Sequence, residues 1–367
     1  MSIHTKVALY PIFADTLPVA RYLMKYRHDI EVVELLAPKG SCVCGIDAGY
    51  LDNRENMGII VRAYDQSNVN SWDELYILRH ETIGLMQDMY IKMVYEPMIR
   101  IAQEAKRKII GYPFPLDDEV NDPELTSSVH ENSTFKKHGM VKQIKTFMVF
   151  VGGVIAEANA FEVFLRLYGE LQKSLHVVAF SSSINAEICG VFSLRSLLYG
   201  KPFTDEQKVF AIEKTISKIC REKKADIVLL QLDEALMPFS DTQTGGFGII
   251  PYIVSQAVSP DHCICCLPYG YGTPSFLTQF EQGLEGRFAF SPDRWHMSNA
   301  LLDYTTMTSI RDAGAIHVPM SLVENTLLST RGNGVNIGCD VLPQYLTETV
   351  ETIISAFGDA RTVASII

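Results

Sequence analysis

Basic side chains are in short supply in this sequence, and long apolar runs are missing. The chain of 367 residues has 32 Lys and Arg against 43 Asp and Glu, for a formal net charge of −11. Binding to nucleic acid backbones needs clustered positive charge, so this composition argues against nucleic acid as the main partner. Gly, Pro or charged residues interrupt every apolar run within a few turns, so we expect no membrane partner either.

The N-terminus lacks the features of a secretory signal. Residues 1–10 lead almost directly into a strand pattern, without a charged start, an apolar run and a small-residue cleavage site. We therefore interpret the eight cysteines as reduced thiols rather than as a disulfide framework. A cytoplasmic location is the corresponding expectation.

What is present is the pattern of an α/β protein. Hydrophobic residues make up 47% of the chain, which is enough for sizeable cores. Short apolar strands alternate with helical periods, and this favours parallel sheets covered by helices on both faces. We predict an α/β fold with two open, mostly parallel-sheet, Rossmann-like lobes. The expected divisions are an N-terminal α/β domain over 1–112, a polar linker over 113–145, and a C-terminal domain over 146–367 that resembles a degenerate P-loop NTPase.

The most informative segment is VFVGGVIAEANAFEVFLRL at 149–167. Here an apolar strand meets the glycine turn Gly152-Gly153 and then an amphipathic helix, an arrangement that binds phosphates at the helix N-terminus. A Walker A loop, Gly-x-x-x-x-Gly-Lys-Ser/Thr, aligned on Gly153, needs a lysine and a hydroxyl at its last two positions. This chain has Asn159 and Ala160 there, so the lysine charge and the magnesium-binding hydroxyl are both absent.

A second part of the predicted site follows the apolar strand DIVLLQL at 226–232. This strand delivers Asp233 and Glu234 to the C-terminal edge of its sheet, as a Walker B strand does. Capping of the next turn by Asp233 is an alternative that the sequence leaves open. The predicted cofactor-binding residues are Gly152, Gly153, Glu157, Asn159, Asp233 and Glu234. We expect weak nucleotide or anion binding at most, no firmly bound cofactor, and we assign no catalytic residue.

The thiols form two groups, Cys42 with Cys44, and Cys263 with Cys265 and Cys266 beside His262. Structural zinc sites usually separate neighbouring ligands by two residues or more, which these spacings do not provide. The second group lies in an apolar strand pattern, where Cys commonly packs as a small hydrophobe. We therefore predict that the thiols form no metal site, and a thiol or metal centre is the alternative.

Several segments together resemble the clostridial peptide maturation system proteins, a family found with radical-SAM and acyl-carrier-like components. The matching stretches are KVALYPIFADTLPVARYL at 6–23, LLAPKGSCVCGIDAG at 35–49, AFEVFLRL at 160–167 after the glycine turn, and FGIIPYIVSQAVSPD at 247–261. The chain departs from the family pattern at two places. Ala160 stands where that pattern has Lys, and Leu232-Asp233-Glu234 stands where it has a Pro-Gly-Gly turn.

The resemblance implies an accessory binding or scaffold protein in the maturation of a ribosomally made peptide natural product. Its P-loop-like domain would not hydrolyse nucleotide, because the lysine and the hydroxyl are missing. The implied partners are a precursor peptide, a radical-SAM maturase or a carrier-like protein, and a homo-oligomer is left open. The alternative is a nucleotide-dependent transferase or a thiol or metal enzyme of the same pathway.

Overall fold

The computed structural model describes residues 4–79, 90–111, 144–156, 158–200, 203–239, 244–303, 314–331 and 335–366. The chain divides into two compact units, Met1–Pro115 with Glu187–Gly190, and Leu116–Ala186 with Val191–Ile367. Most of the predicted linker over 113–145 lies outside the described residues.

A five-stranded parallel sheet forms the first unit, in the order β3-β2-β1-β4-β5. Its strands are β1 Thr5–Tyr10, β2 Ile30–Ala37, β3 Val61–Ala63, β4 Glu74–Ile77 and β5 Lys108–Ile110. The described helices are α1 Leu17–Tyr26 and α2 Glu96–Glu104, the latter preceded by a π-helical turn, Ile91–Tyr95.

β1 is the central strand of this sheet, and its burial agrees with that position. Val7 and the three residues after it are fully buried, as expected of a parallel strand that is covered on both faces. Helix α1 has Pro18 in its first turn, where a missing N–H costs nothing, and packs an apolar face inward. The Tyr10 hydroxyl donates to the carbonyl of Val94, so the buried phenol has a partner.

The second unit is built on a seven-stranded parallel sheet with the order β14-β11-β10-β6-β9-β7-β8. Its strands are β6 Phe147–Gly153, β7 Val177–Ser181, β8 Phe192–Ser193, β9 Ile227–Ala235, β10 His262–Leu267, β11 Arg294–Met297 and β14 Ile337–Gly338. Separately, β12 Ala300–Asp303 pairs antiparallel with β13 Gly314–His317.

Helices connect these strands. They are α3 Ala160–Leu171, α4 Arg195–Tyr199, α5 Asp205–Lys223, α6 Ile249–Ala257, α7 Pro274–Phe288, α8 Met320–Arg331 and α9 Pro343–Ile366. Among the described residues, no helix is both long enough and apolar enough to cross a bilayer.

The order of strands places β6 at the point where the direction of the chain changes. Beyond β6 the chain goes to β7, on the β9 side of the sheet, whereas beyond β10 it goes to β11 on the opposite side. Open parallel sheets bind their ligands at the carboxyl ends of strands that diverge in this way. By this rule the carboxyl ends of β6 and β10 are where a site is expected, and β9 is the neighbour of β6 on the other side.

The predicted α/β class with two open, mostly parallel sheets is confirmed, and β6 and β9 both end later in the sequence than predicted. β6 extends through Gly153, because Gly152 and Gly153 pair with residues of β10 and β9. β9 extends to Ala235 and so contains Asp233 and Glu234, which the sequence pattern places after its end.

Candidate functional site

The glycine pair at the end of β6 is held by backbone bonds to both neighbouring strands. The Gly153 carbonyl accepts a hydrogen bond from the Leu236 N–H at 2.9 Å, and the Val154 N–H donates to the Cys266 carbonyl at 2.9 Å. The first amide after the strand is thus already used inside the protein. It is not available to a bound phosphate while this bond exists.

The turn that follows packs against itself. A Cβ added to Gly153 would lie 2.3 Å from the Ile155 carbonyl oxygen, which no real side chain permits. The Ala158 N–H donates to the same Ile155 carbonyl at 3.3 Å. Val154, Ile155 and Ala158 are all buried. Glycine is needed at 153 because the backbone returns so closely, and apolar groups of the turn itself fill the space beside it.

Asn159 takes the place that the Walker pattern gives to lysine. It has a left-handed backbone, with φ 60° and ψ 24°, and its carbonyl accepts hydrogen bonds from the N–H groups of Glu162 and Val163 at the start of α3. Its side-chain Nδ2 donates to Asn299 Oδ1 at 3.4 Å. Asn159 therefore links the first turn of α3 to the chain after β11. Glu157, which the sequence also predicted for this site, lies outside the described residues.

The first turn of α3 already contains an anionic group. Glu162 is 2% exposed, and its Oε1 accepts from Arg166 Nη2 at 2.9 Å. A carboxylate near a helix N-terminus interacts favourably with the positive end of the helix dipole. Part of the attraction that a phosphate would feel at this end is thus satisfied within the protein.

Asp233 and Glu234 lie together in a β-bulge of β9. Gly152 of β6 pairs with Leu232, but Gly153 pairs with Ala235, so the two acidic residues between them have no partners on β6. Bulges of this kind bend the strand and redirect its side chains, and they are frequent near binding sites. Because of the bulge, the side chains of Asp233 and Glu234 do not follow the regular alternation between the two faces of the sheet.

The carboxylate of Asp233 has an incomplete set of donors. Its Oδ1 accepts from Gln231 Nε2 at 3.0 Å, and its backbone N–H donates to Ser182 Oγ at 2.9 Å. Its Oδ2 is shielded from solvent and has no hydrogen-bond partner among the described residues. Burial raises the pKa of Asp233 to about 6, although the Gln231 amide and the charge of Arg195 oppose that shift.

Glu234 belongs to a contact network with α4. The Tyr199 hydroxyl donates to Glu234 Oε1 at 3.2 Å. The guanidinium carbon of Arg195 lies 4.9 Å from the centroid of the Tyr199 ring, and its Nη1 donates to the Ser182 carbonyl at 3.2 Å. Two carboxylates, a phenol and a guanidinium thus meet at the carboxyl ends of β7 and β9, a set that can bind polar groups and exchange protons.

Sequence reasoning found the two acidic residues but missed their companions. Gln231 alternates with apolar neighbours inside a strand pattern, and nothing in its spacing sets it apart. Arg195 and Tyr199 are four residues apart, which places them on one face of a helix, but α4 is too short for a periodic pattern to be read. The one available signal was the run of serines from Ser181 to Ser183, which begins at the last residue of β7.

The two groups of thiols belong to other segments of the chain, β10 and the residues after β2. Cys263 and Cys265 are buried side by side in β10, with their sulfur atoms 3.9 Å apart. Burial raises the pKa of the Cys265 and Cys266 thiols well above the ordinary value. Cys42 is exposed, and the Cys44 thiol donates to the Pro38 carbonyl at 3.7 Å. Within the described part of the chain, no three His, Cys, Asp or Glu side chains are arranged to hold a metal ion.

Comparisons with known proteins bear on the fold. No protein-family profile and no curated protein sequence matches the chain significantly. Among solved structures, it is similar to a DUF1611 family protein from Anabaena variabilis, with a TM-score of 0.54 at 13% identity over 96% of this chain and 100% of that one.

Two further similarities are weaker. The signal recognition particle receptor FtsY from Elizabethkingia anophelis gives a TM-score of 0.27 at 15% identity, over 58% of this chain and 68% of that one. Aspartate semialdehyde dehydrogenase II from Vibrio cholerae, in complex with ASA, gives 0.23 at 9% identity, over 63% and 69% of the two chains. Of the three, the DUF1611 structure alone has a TM-score above 0.5, and at 13% identity it supports the fold alone.

Proposed function

We propose that this chain is an accessory binding protein in the maturation of a ribosomally made peptide, and that its P-loop-like lobe does not hydrolyse nucleotide. The absence of nucleotide hydrolysis is supported by the packed turn after β6. Its first amide is bonded to Cys266, Gly153 is in close contact with Ile155, and the residue in the lysine position is Asn159. A triphosphate would lose both its amide cradle and its main counter-charge at this turn.

The pathway half of the proposal rests on the segments that resemble peptide maturation proteins. The stretches at 6–23, 35–49 and 247–261 carry that resemblance, together with the segment after the glycine turn. An accessory protein of such a pathway binds a precursor peptide, a maturase or a carrier-like protein. The genes beside this one provide a direct check, since a radical-SAM protein and a short precursor should be encoded there.

Calorimetry with ATP and GTP, with and without Mg²⁺, combined with a phosphate-release assay, tests the loss of hydrolysis. We expect weak binding at most and no turnover above that of a heat-denatured sample. Micromolar, magnesium-dependent binding that Gly153→Val abolishes, with turnover that Asp233→Asn abolishes, would contradict the proposal.

A second candidate, a nucleotide-dependent transferase of the same pathway, is favoured by one observation. Asp233 has a pKa near 6 and lies in a bulge at the carboxyl edge of the sheet, and carboxyl groups with raised pKa values commonly serve as general acids or bases. Under this alternative, Asp233→Asn removes a transfer activity while leaving ligand affinity in place. Under the binding proposal, the wild type has no transfer activity for this variant to remove.

A further inference from the structure

The turn before α6 has an unusual backbone. Gly245, Gly246, Phe247 and Gly248 all have left-handed conformations, with φ of 51°, 64°, 56° and 61°. A Cβ on Gly245 would lie 2.3 Å from the Cβ of Ala235, and one on Gly248 would lie 2.2 Å from the Leu236 carbonyl oxygen. Three of the four positions therefore suit glycine, and the turn is fixed closely against the end of β9.

Phe247 is the exception in this turn. A bulky aromatic residue at positive φ is a conformational outlier, and Asn or Gly would occupy the same backbone with less strain. Burial does not account for its presence, because Phe247 is 56% exposed. The side chain is thus held toward solvent in a conformation that neither the backbone nor the core requires. Outliers of this kind are concentrated at functional sites.

Two further apolar side chains extend the exposed surface along the same short segment. Ile249 is 51% exposed and Tyr252 is 43% exposed, whereas the inner face of α6 is buried at Ile253 and Val254. We call Phe247, Ile249 and Tyr252 the 247–252 patch. Exposed aromatic and aliphatic groups gathered in this way mark interaction surfaces more often than isolated ones do.

A cation stands at the edge of the 247–252 patch. The guanidinium carbon of Arg287 lies 5.8 Å from the Tyr252 ring centroid, and its Nη2 donates to the Gly248 carbonyl at 3.4 Å. Among the described residues, no carboxylate forms an ion pair with Arg287. The neighbouring acid on α7, Glu285, is two residues away and so projects from a different side of the helix. The Glu234 carboxylate lies beside Gly246 in the same turn, and it accepts a hydrogen bond from the Tyr199 hydroxyl.

This charge is informative because the protein as a whole is acidic, with a net charge of −11. An acidic protein repels acidic peptides over most of its surface, whereas a cation without an acidic partner attracts them locally. We infer that the 247–252 patch docks an apolar, acidic segment of a peptide partner, with Phe247 as the central apolar contact and Arg287 receiving a carboxylate. This inference deepens the binding role proposed above and rests on it.

Fluorescence polarisation with three short fluorescein-labelled peptides tests the inference on the full chain. One is built of Leu, Phe and Glu, the second has Lys in place of each Glu, and the third has Ser in place of each apolar residue. The first should bind most tightly, because only it satisfies both the patch and the cation. Preference for the second or third peptide, or no binding of the first, would overturn the inference.

Variants then locate the binding. Phe247→Asn suits the left-handed backbone and should weaken binding of the acidic apolar peptide by about tenfold or more, as expected for a central interface residue. Arg287→Gln should remove the preference for Glu over Lys. Leu328→Asn, which alters a side chain on α8 that is 72% exposed, is the matched control and should leave the affinity unchanged.

The outcomes separate this inference from the proposed function. If the first peptide binds equally well to the wild type, Phe247→Asn and Arg287→Gln, the binding role stands and the patch assignment fails. If the protein binds no peptide and hydrolyses nucleotide, the proposed function itself fails. Self-association that disappears in Phe247→Asn would assign the patch to a second copy of the chain and also overturn the inference.

Circular dichroism and thermal melting test whether each variant is folded. If Phe247→Asn does not fold, Tyr252→Ser takes its place.

Discussion

A carboxylate with a vacant acceptor position is costly for a protein to bury, and Asp233 is such a group. The bulge in β9 turns it away from the sheet partner, and Gln231 supplies a donor to only one of its oxygens. Burial disfavours the charged form, so the folded protein holds the proton to a higher pH than the unfolded chain does. Protonation of this one residue is therefore coupled to folding.

The sign of this coupling gives a first prediction at the residue scale. The pKa of Asp233 rises from an ordinary value of 3.8 to about 6, so the folded state binds more protons than the unfolded state between these values. The contribution of Asp233 to stability is greatest below about pH 4 and falls as pH rises through 6, by on the order of 3 kcal/mol. Asp233→Asn should remove this decline.

Thermal unfolding midpoints measured across the acidic to neutral range provide the test. The difference between Asp233→Asn and the wild type should grow in favour of the variant as pH increases from about 4 to 7. Asp205, whose side chain is 73% exposed at the start of α5, is the matched control, and Asp205→Asn should not reproduce this trend. A constant difference across the range would show that the Asp233 carboxyl group is well solvated.

At the scale of elements, the turn between β6 and α3 shows how far the sequence pattern could be followed. The order of strand, glycine pair and helix was predicted from the sequence, in which Asn159 stands at the lysine position. The extension of β6 through Gly153 was not, because a glycine pair after an apolar run is the ordinary signature of a loop. The pairing of Gly153 with Ala235 extends the strand here, and a contact so distant in sequence leaves no local trace.

The surroundings of the two predicted acids also depend on contacts between residues that are distant in sequence. Asp233 and Glu234 were expected after β9, but their role in a bulge depends on how the two neighbouring strands pair. The bond from Asn159 to Asn299 joins residues 140 positions apart. Local periodicity gives the identity of strands and helices, whereas side-chain partners across a sheet depend on a strand order that periodicity does not contain.

Gly153→Ala is the prediction that belongs to this scale. The added Cβ would meet the backbone oxygen of Ile155 at 2.3 Å, and backbone cannot move aside as a flexible side chain can. We expect a loss of about 1–3 kcal/mol in the free energy of unfolding, as is usual for overpacking. A turn built for phosphates would instead lose nucleotide affinity with little change in stability.

Gly286→Ala is the matched control for this variant. Gly286 lies near the end of α7, and in the part of the chain that the structure describes a Cβ there would have no heavy atom within 4 Å. Alanine favours a helix over glycine, so this substitution should stabilise the protein by about 0.5–1 kcal/mol. Chemical denaturation of the two variants beside the wild type measures both effects, and opposite signs are expected. A neutral Gly153→Ala would show that the turn is not closely packed.

At the scale of the whole molecule, two parallel sheets were predictable because strands and helices alternate along nearly the entire chain. Their strand orders were not. β6 is central in its sheet, yet its partner β9 begins at Ile227, after β7, β8 and the three helices α3, α4 and α5. Strands such as β6 and β10 are buried throughout, so composition cannot rank them by position in the sheet.

The distribution of thiols over the molecule gives the last prediction. Six of the eight cysteines are buried, Cys44 is half-buried and Cys42 is exposed. Burial raises the pKa of Cys220 to about 11 and also raises that of Cys44, so these thiols are poor nucleophiles and poor metal ligands at neutral pH. A disulfide reagent that forms a coloured product should react quickly with Cys42 in the folded protein, more slowly with Cys44, and with the other six only on unfolding. Cys42→Ser should remove the fast phase, and Cys220→Ser should leave it intact.

Elemental analysis after anaerobic purification should find zinc and iron far below one equivalent. Stoichiometric metal that is lost on replacing Cys263 and Cys265 by Ser would instead establish a metal centre in β10 and favour an enzyme over a binding protein.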